Sequence, residues 1–483
     1  MEKRQSGPGT SLVAERPRRR RRRLLRRVLV VSVTGTAAVG GALMLLPKET
    51  PHRAGLPAAG PRAQAPAVVT AGVPAALPDL TRLIGDRERH LRTHPRDARA
   101  WAVLGTAYLE RGRRTADAAN YPRAERALRE SLDVKGAKNV EALEGLAALA
   151  NTRRDFEVAR DWGEQAQKLA PKRWTTYGVL IDAYTGLGDY KASRGALDKL
   201  LALHTKGAAR PAVMARASAV YRDRGWREDA AAQLADAAAA ARTPAEQADY
   251  LARAGQLAWE RGDREDALRH FRAALRVDPG QRAAAAGQGR VLAALGRTSE
   301  ALTAYRAALA ERPCPEYALE LGELYESLGR EEEAKAQYDL VRDRAARDEA
   351  DGVDEELLLG RFEADHGDRE EAVERLRDEW GMQPGIEVAD ALGWALHRVG
   401  EDEEALEFAR IATDKDKGGG VRSALYSFHL GMIEGELELT APARRHLQEA
   451  LRINPYFSPL RVPVARAALA RLGEPPKEDP PES

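Results

Sequence analysis

Residues 255–279 decide the fold, and their sequence is GQLAWERGDREDALRHFRAALRVDP. Two amphipathic segments flank Gly262, and Ala267 follows that glycine by five positions. Glycine permits the left-handed or tight backbone of a short connection between helices, and a small alanine lets the two helices approach closely. The stretch therefore predicts a pair of adjacent antiparallel helices, a helical hairpin.

The same pattern recurs along the chain with a period of roughly 34 residues. The glycine between the two helices appears as Gly188, Gly225, Gly262, Gly296, Gly329, Gly367 and Gly400. The small residue five positions later is Ser193, Ala230, Ala267, Ala301, Ala334, Ala372 and Ala405. Because one hairpin cannot bury its apolar face alone, neighbouring hairpins must stack. The repeat therefore predicts an all-α fold, an α-solenoid.

These repeats resemble those of the tetratricopeptide repeat family. Trp101-x-x-Leu104-Gly105-x-x-Tyr108 reproduces the first-helix signature of that family. Its second-helix pattern appears as Ala267, Phe271 and Pro279, and again as Ala301, Tyr305 and Pro313. The resemblance implies about ten hairpins within residues 80–457, followed by a capping helix and tail at 458–483. We expect the ten units to begin near residues 88, 139, 173, 210, 246, 281, 315, 353, 386 and 422.

The array departs from the family pattern at three places. Residues 113–120 form an insertion in the first unit, and residues 342–353 lengthen a connection or prolong a helix. In the last hairpin, Glu438 stands where glycine is usual. These departures leave the fold prediction intact but leave the curvature of the array open.

The basic character of the chain is confined to its amino terminus. Residues 1–27 contain 11 Lys/Arg and 2 Asp/Glu, a balance of +9 in a chain whose formal net charge is +2. The other 456 residues therefore have a net charge of −7. A mildly acidic repeat array argues against nucleic acid as a partner.

Residues 28–46 are consecutive, uncharged and mostly apolar. As a helix they would span roughly 28 Å, which is close to the ~30 Å hydrocarbon core of a bilayer. The arginines of the 1–27 arm precede this run directly, so the positive-inside rule places the amino terminus in the cytoplasm and the repeats outside it. The sequence therefore predicts a single-pass cell-membrane protein with extracytoplasmic repeats.

Residues 47–79 are rich in proline and alanine and predict a disordered or extended linker. Two alternatives for the amino terminus stay open. A cleaved secretory signal would need a shorter apolar core and a better cleavage site than Gly40-Gly41-Ala42. A twin-arginine export signal is matched loosely by residues 21–26, as any polyarginine tract would match it.

No catalytic constellation occurs in the sequence. It contains no His-Glu-x-x-His, Gly-x-Ser-x-Gly, phosphate-loop or dinucleotide motif. Residues 414–420 resemble a calcium loop but lack its third acidic ligand and closing glutamate, and Cys314 is the only cysteine. We therefore expect a non-enzymatic protein with no cofactor, no bound metal and no small-molecule substrate.

The resemblance implies that the first helix of each hairpin lines a concave groove that binds a protein or peptide. The predicted groove residues are Trp259, Arg290, Glu323, Glu326, Arg361, Trp394, His397, Phe428 and Met432. Trp259, Trp394, Phe428 and Met432 are candidate apolar anchors, and the glutamates at 316, 320, 323 and 326 form a ladder that could receive a basic ligand. The alternative is that the tryptophans are buried between repeats and that the glutamates form a solvated face.

Together these features predict a membrane-anchored protein–protein interaction scaffold that displays its solenoid outside the cytoplasmic membrane. Two other functions stay open. One is an accessory factor of an enzyme that processes an envelope polymer, and the other is a cytoplasmic regulatory repeat protein if the topology is inverted.

Overall fold

The computed structural model describes residues 66, 69–310, 312–414 and 420–473. The predicted basic arm, the predicted span at 28–46 and most of the predicted linker lie outside these residues. Within the described part of the chain, no helix combines the length and the apolarity that crossing a membrane requires.

The described residues are all-α, with 22 α-helices and no strands. The helices are α1 (Leu77–Thr93), α2 (Ala98–Thr115), α3 (Tyr121–Lys135), α4 (Val140–Thr152), α5 (Phe156–Leu169), α6 (Trp174–Gly186), α7 (Tyr190–Ala202), α8 (Arg210–Asp223), α9 (Arg227–Ala240), α10 (Pro244–Glu260), α11 (Arg264–Val277), α12 (Arg282–Ala294), α13 (Thr298–Leu309), α14 (Pro315–Ser327), α15 (Glu331–Ala350), α16 (Glu356–His366), α17 (Arg369–Met382), α18 (Ile386–Val399), α19 (Asp402–Thr413), α20 (Ala424–Glu436), α21 (Thr440–Ile453) and α22 (Arg461–Leu472).

Helices α2 to α21 form ten consecutive hairpins, which we number from one to ten. Nine of them begin within three residues of the predicted positions, but the first begins at Ala98 and not near residue 88. Residue 88 belongs to α1, which ends before Pro95 because proline cannot continue a helix. The insertion in the first unit contains the 3₁₀ turn Ala118–Asn120, and the lengthened connection is helical through Ala350.

Close packing between hairpins depends on aromatic rings that fit against glycines. Phe271 of α11 is fully buried. A Cβ atom on Gly255 of α10 or on Gly287 of α12 would lie 2.7 or 2.3 Å from the Phe271 ring. Those two glycines therefore let three helices approach around one ring. In the tenth hairpin, Glu438 adopts a positive φ of 59° at the place where six of the other turns have a positive-φ glycine, a conformation that costs an L-residue about 1–2 kcal/mol.

The solenoid coils so tightly that its second superhelical turn contacts its first. Five contacts join residues about 195 positions apart: Asp117 with Arg312 (2.7 Å), Arg153 with Asp351 (3.1 Å), Tyr190 with Ile386 (3.1 Å), Arg227 with Arg422 (2.5 Å) and Trp259 with Asn454 (2.7 Å). We call this set of contacts the seam. Each contact joins a residue at or next to the turn inside one of the first five hairpins to a residue at or next to the connection that follows the hairpin five positions later.

The carboxyl end of the array is closed by α22. The Arg461 guanidinium at its first position pairs with Glu323 of α14 at 3.0 Å and with Asp365 of α16. These partners lie on the seventh and eighth hairpins, so α22 packs back across the interior side of the second superhelical turn.

A cavity inside the superhelix

The stacked turns enclose a cavity of about 950 Å³. Its wall includes residues from the first helices of hairpins three to ten, which are α6, α8, α10, α12, α14, α16, α18 and α20. The loop at 454–459 and the start of α22 complete the wall. The cavity exists because the seam brings the carboxyl ends of α6, α8 and α10 next to the amino ends of α18 and α20.

Charged side chains dominate the polar part of this wall, with six arginines and six carboxylates. Nine of these twelve groups have an ion-pair partner within 4.0 Å. The pairs are Arg154 with Glu379, Arg222 with Glu260 and Asp223, Arg290 with Glu320, Arg422 with Glu449, Asp182 with Arg216, and Glu323 with Arg461. Most of the charge in the wall is therefore neutralised by the protein itself.

Several polar groups of the wall lack such partners within the described part of the chain, among them the exposed Arg466 of α22 and three groups on first helices. Arg361 of α16 makes no ion pair, and its one hydrogen bond is a long contact of 3.4 Å to the backbone carbonyl of Glu387. The Glu387 carboxylate of α18 and the Tyr426 hydroxyl of α20 have no hydrogen-bond partner. Burial alone would raise the pKa of Glu387, but Arg361, Arg154 and Arg222 hold it below the usual value. The glutamate therefore stays ionised.

Comparison with known proteins agrees with this geometry. A family model described as tetratricopeptide repeat matches residues 115–173, 252–313 and 287–350. These parts of the chain contain tetratricopeptide repeats. No curated protein sequence matches it.

Several solved structures are similar in fold. The human IFIT1 dimer with m7Gppp-AAAA is 17% identical, with 67% of this chain and 74% of that chain covered and a TM-score of 0.46. The APC/C hetero-tetramer Cut9-Hcn1 is 16% identical over 82% of both chains, with a TM-score of 0.39. The pilF protein of Pseudomonas aeruginosa is 16% identical over 43% of this chain and 92% of that chain, with a TM-score of 0.35.

Four of the residues predicted for the tetratricopeptide groove line the cavity: Trp259, Arg290, Glu323 and Arg361. The other five do not. Glu326 accepts a hydrogen bond from Tyr338 at 2.6 Å, and His397 contacts Asp402 at 2.5 Å within its own hairpin. Met432 packs against the core of the last hairpins.

The interpretation of the aromatic residues as free anchors needs correction. Trp259, Trp394 and Phe428 are only 6%, 8% and 0% exposed. Trp394 stacks on His429 with ring centroids 4.2 Å apart, and its indole N–H donates to Asp365 at 3.0 Å. Trp394 and Phe428 face neighbouring helices because their positions lie on the packed side of the first helix, and Trp259 is packed in the core with only a small exposed part in the cavity wall. They are core residues, as the alternative interpretation held.

The glutamate ladder is likewise occupied by the protein's own groups. Glu320 binds Arg290 and accepts a hydrogen bond from Tyr305 at 2.9 Å, and Glu323 binds Arg461. Burial opposes ionisation of Glu323, but Arg461 and His366 keep its pKa below the usual value. The ladder therefore stabilises the array and offers little free charge to a basic ligand.

The sequence did not point to Glu387, Tyr426 or the 454–459 loop. Glu387 and Tyr426 lie in the first turns of their helices, outside the positions that line a tetratricopeptide groove in an open array. They reach the cavity because the second superhelical turn contacts the first. No signal within a single repeat reports that contact.

A second, smaller cavity of about 280 Å³ lies among the first four hairpins. Residues 69–72 line it from one side, and the backbone N–H of Ala75 donates to Glu110 of α2 at 3.3 Å. Phe156 and Asp182 line both cavities. The two spaces are therefore neighbouring parts of one interior surface of the tetratricopeptide array.

Proposed function

We propose that this protein is a membrane-anchored scaffold that binds a segment of a partner protein inside its tetratricopeptide superhelix. Helical repeats of this type are suited to protein–protein interaction. The observation that supports the binding role is the 950 Å³ cavity, whose wall combines aromatic and apolar surface with a small set of convergent polar groups. Ligand sites of proteins have this construction and volumes of about 300–1,000 Å³.

A folded partner domain is too large for the cavity. An α-helix is about 10–12 Å across, so roughly two helical turns would fill it. The partner therefore contributes a short segment, and the seam limits how much of the partner enters. The neighbouring smaller cavity extends the path along which such a segment lies.

Site-specific photocrosslinking in cells tests the binding role. A photoreactive amino acid at Tyr426 faces the cavity, and one at Leu169 is exposed on the second helix of the second hairpin. We expect a discrete adduct of defined mass from position 426 and none from position 169. The adduct should disappear when Ala219→Trp narrows the cavity in the same chain. Adducts of equal intensity from both positions would refute the proposal.

The membrane attachment and the topology are part of the same proposal, and the sequence supports them. Residues 28–46 are long enough to span a bilayer, and the preceding arginines orient the span. A reporter that is active only outside the cytoplasm, fused after Ser483, should be active. Neutral residues at 18–23, 26 and 27 should randomise the result, and a silent reporter on the native sequence would refute the topology.

We also propose that the chain has no catalytic activity of its own. The sequence supports this because it lacks every catalytic motif that we considered. The charged groups of the wall without an ion-pair partner among the described residues are Arg361, Arg466 and Glu387, a set typical of recognition. Binding and presentation of the partner is therefore the proposed molecular role.

A further inference from the structure

Three polar groups of the large cavity that lack close side-chain partners lie on successive first helices. Arg361 is on α16, Glu387 on α18 and Tyr426 on α20. First helices of consecutive hairpins are neighbours in the wall, so the three groups form a row. The row presents a cation, an anion and a hydroxyl, in the order of the chain.

Arg361 and Glu387 form no ion pair with each other, although Arg361 favours the ionised form of Glu387 from a longer distance. Within the described residues, no carboxylate oxygen lies within 4.0 Å of the Arg361 guanidinium, and no basic group lies within that distance of the Glu387 carboxylate. The contrast with the rest of the wall is sharp, because nine other charged groups there have close partners. An arginine and a carboxylate that face the same space without pairing leave two opposite charges for a ligand to meet.

We propose that the cavity binds a zwitterionic peptide segment whose acidic side chain pairs with Arg361 and whose basic side chain pairs with Glu387. This inference rests on the proposed function and names the chemistry of the bound segment. The guanidinium is suited to two parallel hydrogen bonds with a carboxylate, and the Tyr426 hydroxyl donates to or accepts from the peptide backbone. Opposite charges in fixed positions also impose a direction on the segment.

A peptide fits these observations better than a free zwitterionic small molecule. The cavity borders the smaller cavity through Phe156 and Asp182, so the two cavities together offer a ligand more surface than the charged row alone. Apolar wall surface from Val220, Ile386 and Leu425 flanks the row. A small molecule would meet the two charges but would leave this additional surface without contacts.

Direct binding to the purified full-length chain tests the inference. The probes are a set of terminally blocked alanine hexapeptides, each of which contains one glutamate and one lysine. The set covers every pair of positions for these two residues. Matched peptides replace the glutamate or the lysine with glutamine. We expect some zwitterionic peptides to bind at least about tenfold more tightly than both of their matched peptides, since each lost charged contact weakens binding by about that factor. Equal affinity for all peptides, or equally tight binding of a free Glu-Lys dipeptide, would overturn the inference.

Variants assign the two charges. Arg361→Gln should weaken binding of the zwitterionic peptide about tenfold and leave binding of its glutamate-to-glutamine partner unchanged. Glu387→Gln should weaken binding of the zwitterionic peptide about tenfold and leave binding of its lysine-to-glutamine partner unchanged. The controls are Arg369→Gln and Glu407→Gln, which are exposed on the second helices of the same two hairpins and should change nothing. Equal effects of the control and cavity variants would overturn the assignment.

The outcome is separable from that of the proposed function. If position 426 crosslinks a partner in cells while no zwitterionic hexapeptide binds in preference to its matched peptides, the scaffold role stands and the zwitterionic chemistry fails. If position 426 crosslinks no partner and no zwitterionic hexapeptide binds preferentially, the scaffold role and the zwitterionic chemistry both fail. Helix content and melting temperature of each variant confirm that a loss of binding is not a loss of fold.

Discussion

The hydroxyl oxygen of Tyr190 accepts a hydrogen bond of 3.1 Å from the backbone N–H of Ile386, 196 residues further along the chain. Tyr190 begins the second helix of the third hairpin, and Ile386 begins the ninth hairpin. The bond therefore joins two superhelical turns and satisfies an N–H group that a helix leaves free at its start. It lies in the middle of the seam, whose contacts close the interior cavity.

Alanine substitution of two turn glycines, one at the seam and one away from it, should separate the cost of turn strain from the cost of disrupting the seam. Gly188 and Gly296 both have a positive φ, 70° and 73°, so an alanine at either position is strained by about 1–2 kcal/mol. A Cβ at Gly188 would lie 2.3 Å from the carbonyl oxygen of Pro384, whereas no atom lies within 4 Å at Gly296. Gly188→Ala should therefore reduce the free energy of unfolding more than Gly296→Ala does.

Urea denaturation measures that difference, and hydrogen exchange locates it. Amide protection at residues 385–388 should fall in Gly188→Ala and persist in Gly296→Ala. Identical losses of stability and protection in the two variants would show that the seam contributes nothing in solution.

Removal of Arg461 should destabilise the carboxyl end of the array. Its guanidinium pairs with Glu323 and Asp365, and all three side chains are largely buried. Arg461→Ala leaves the buried Glu323 with only His366, and the buried Asp365 with only the more distant Arg398, as a basic partner, and the loss of such a buried partner costs up to about 3–5 kcal/mol. Arg466→Ala in the same helix is the control, because Arg466 is exposed and has no ion pair among the described residues. Thermal unfolding followed by circular dichroism compares the two, and equal melting temperatures would contradict the prediction.

Stability should fall between about pH 4.5 and pH 8 because of a buried acid beside the seam. Burial, together with repulsion from Glu316 and Asp348, raises the pKa of Glu355 from 4.5 to about 8. A carboxyl whose pKa is raised on folding contributes stability below its unfolded pKa and loses that contribution as the pH rises through its folded pKa. Asp348 acts in the same direction, because burial raises its pKa to about 6.

The variant Glu355→Gln isolates this effect. The wild-type melting temperature and free energy of unfolding should be lower at pH 8 than at pH 5. Glu355→Gln should remove part of the decrease in the free energy of unfolding, on the order of 1–3 kcal/mol. Glu370→Gln, exposed on the next helix, should leave the pH dependence unaltered. A pH profile that is the same in wild type and Glu355→Gln would show that Glu355 ionises freely.

Trp394 should contribute to stability and not to partner binding. It is 8% exposed and packs among Phe428, His429 and the core of the last hairpins. Trp394→Ala should lower the free energy of unfolding by about 3–5 kcal/mol. Trp226, which is 43% exposed and stacks only with Arg224 and Tyr221, is the matched control, and its replacement should cost about 1 kcal/mol or less. Similar losses in the two variants would place Trp394 outside the core.

The repeat architecture could be predicted from the sequence because the forces that form a hairpin are local. Gly262, Ala267 and Phe271 lie within ten positions and specify one turn and one close helix contact. Nine of ten hairpin starts followed from that pattern, and Arg290, Glu323 and Arg361 were expected in the interior and line it. The aromatic residues were misassigned because a single repeat does not show whether Trp394 faces the interior or the next helix.

What the sequence determined by itself is the hairpin, its repetition and the predicted apolar span that precedes it. Only the tertiary structure decided that the array closes on itself. A small rotation between neighbouring hairpins, summed over five and a half of them, brings Tyr190 to Ile386 and Gly225 to Gly420. The cavity depends on that sum, because its opposite walls belong to residues about 195 positions apart, a separation that far exceeds the length of any repeat.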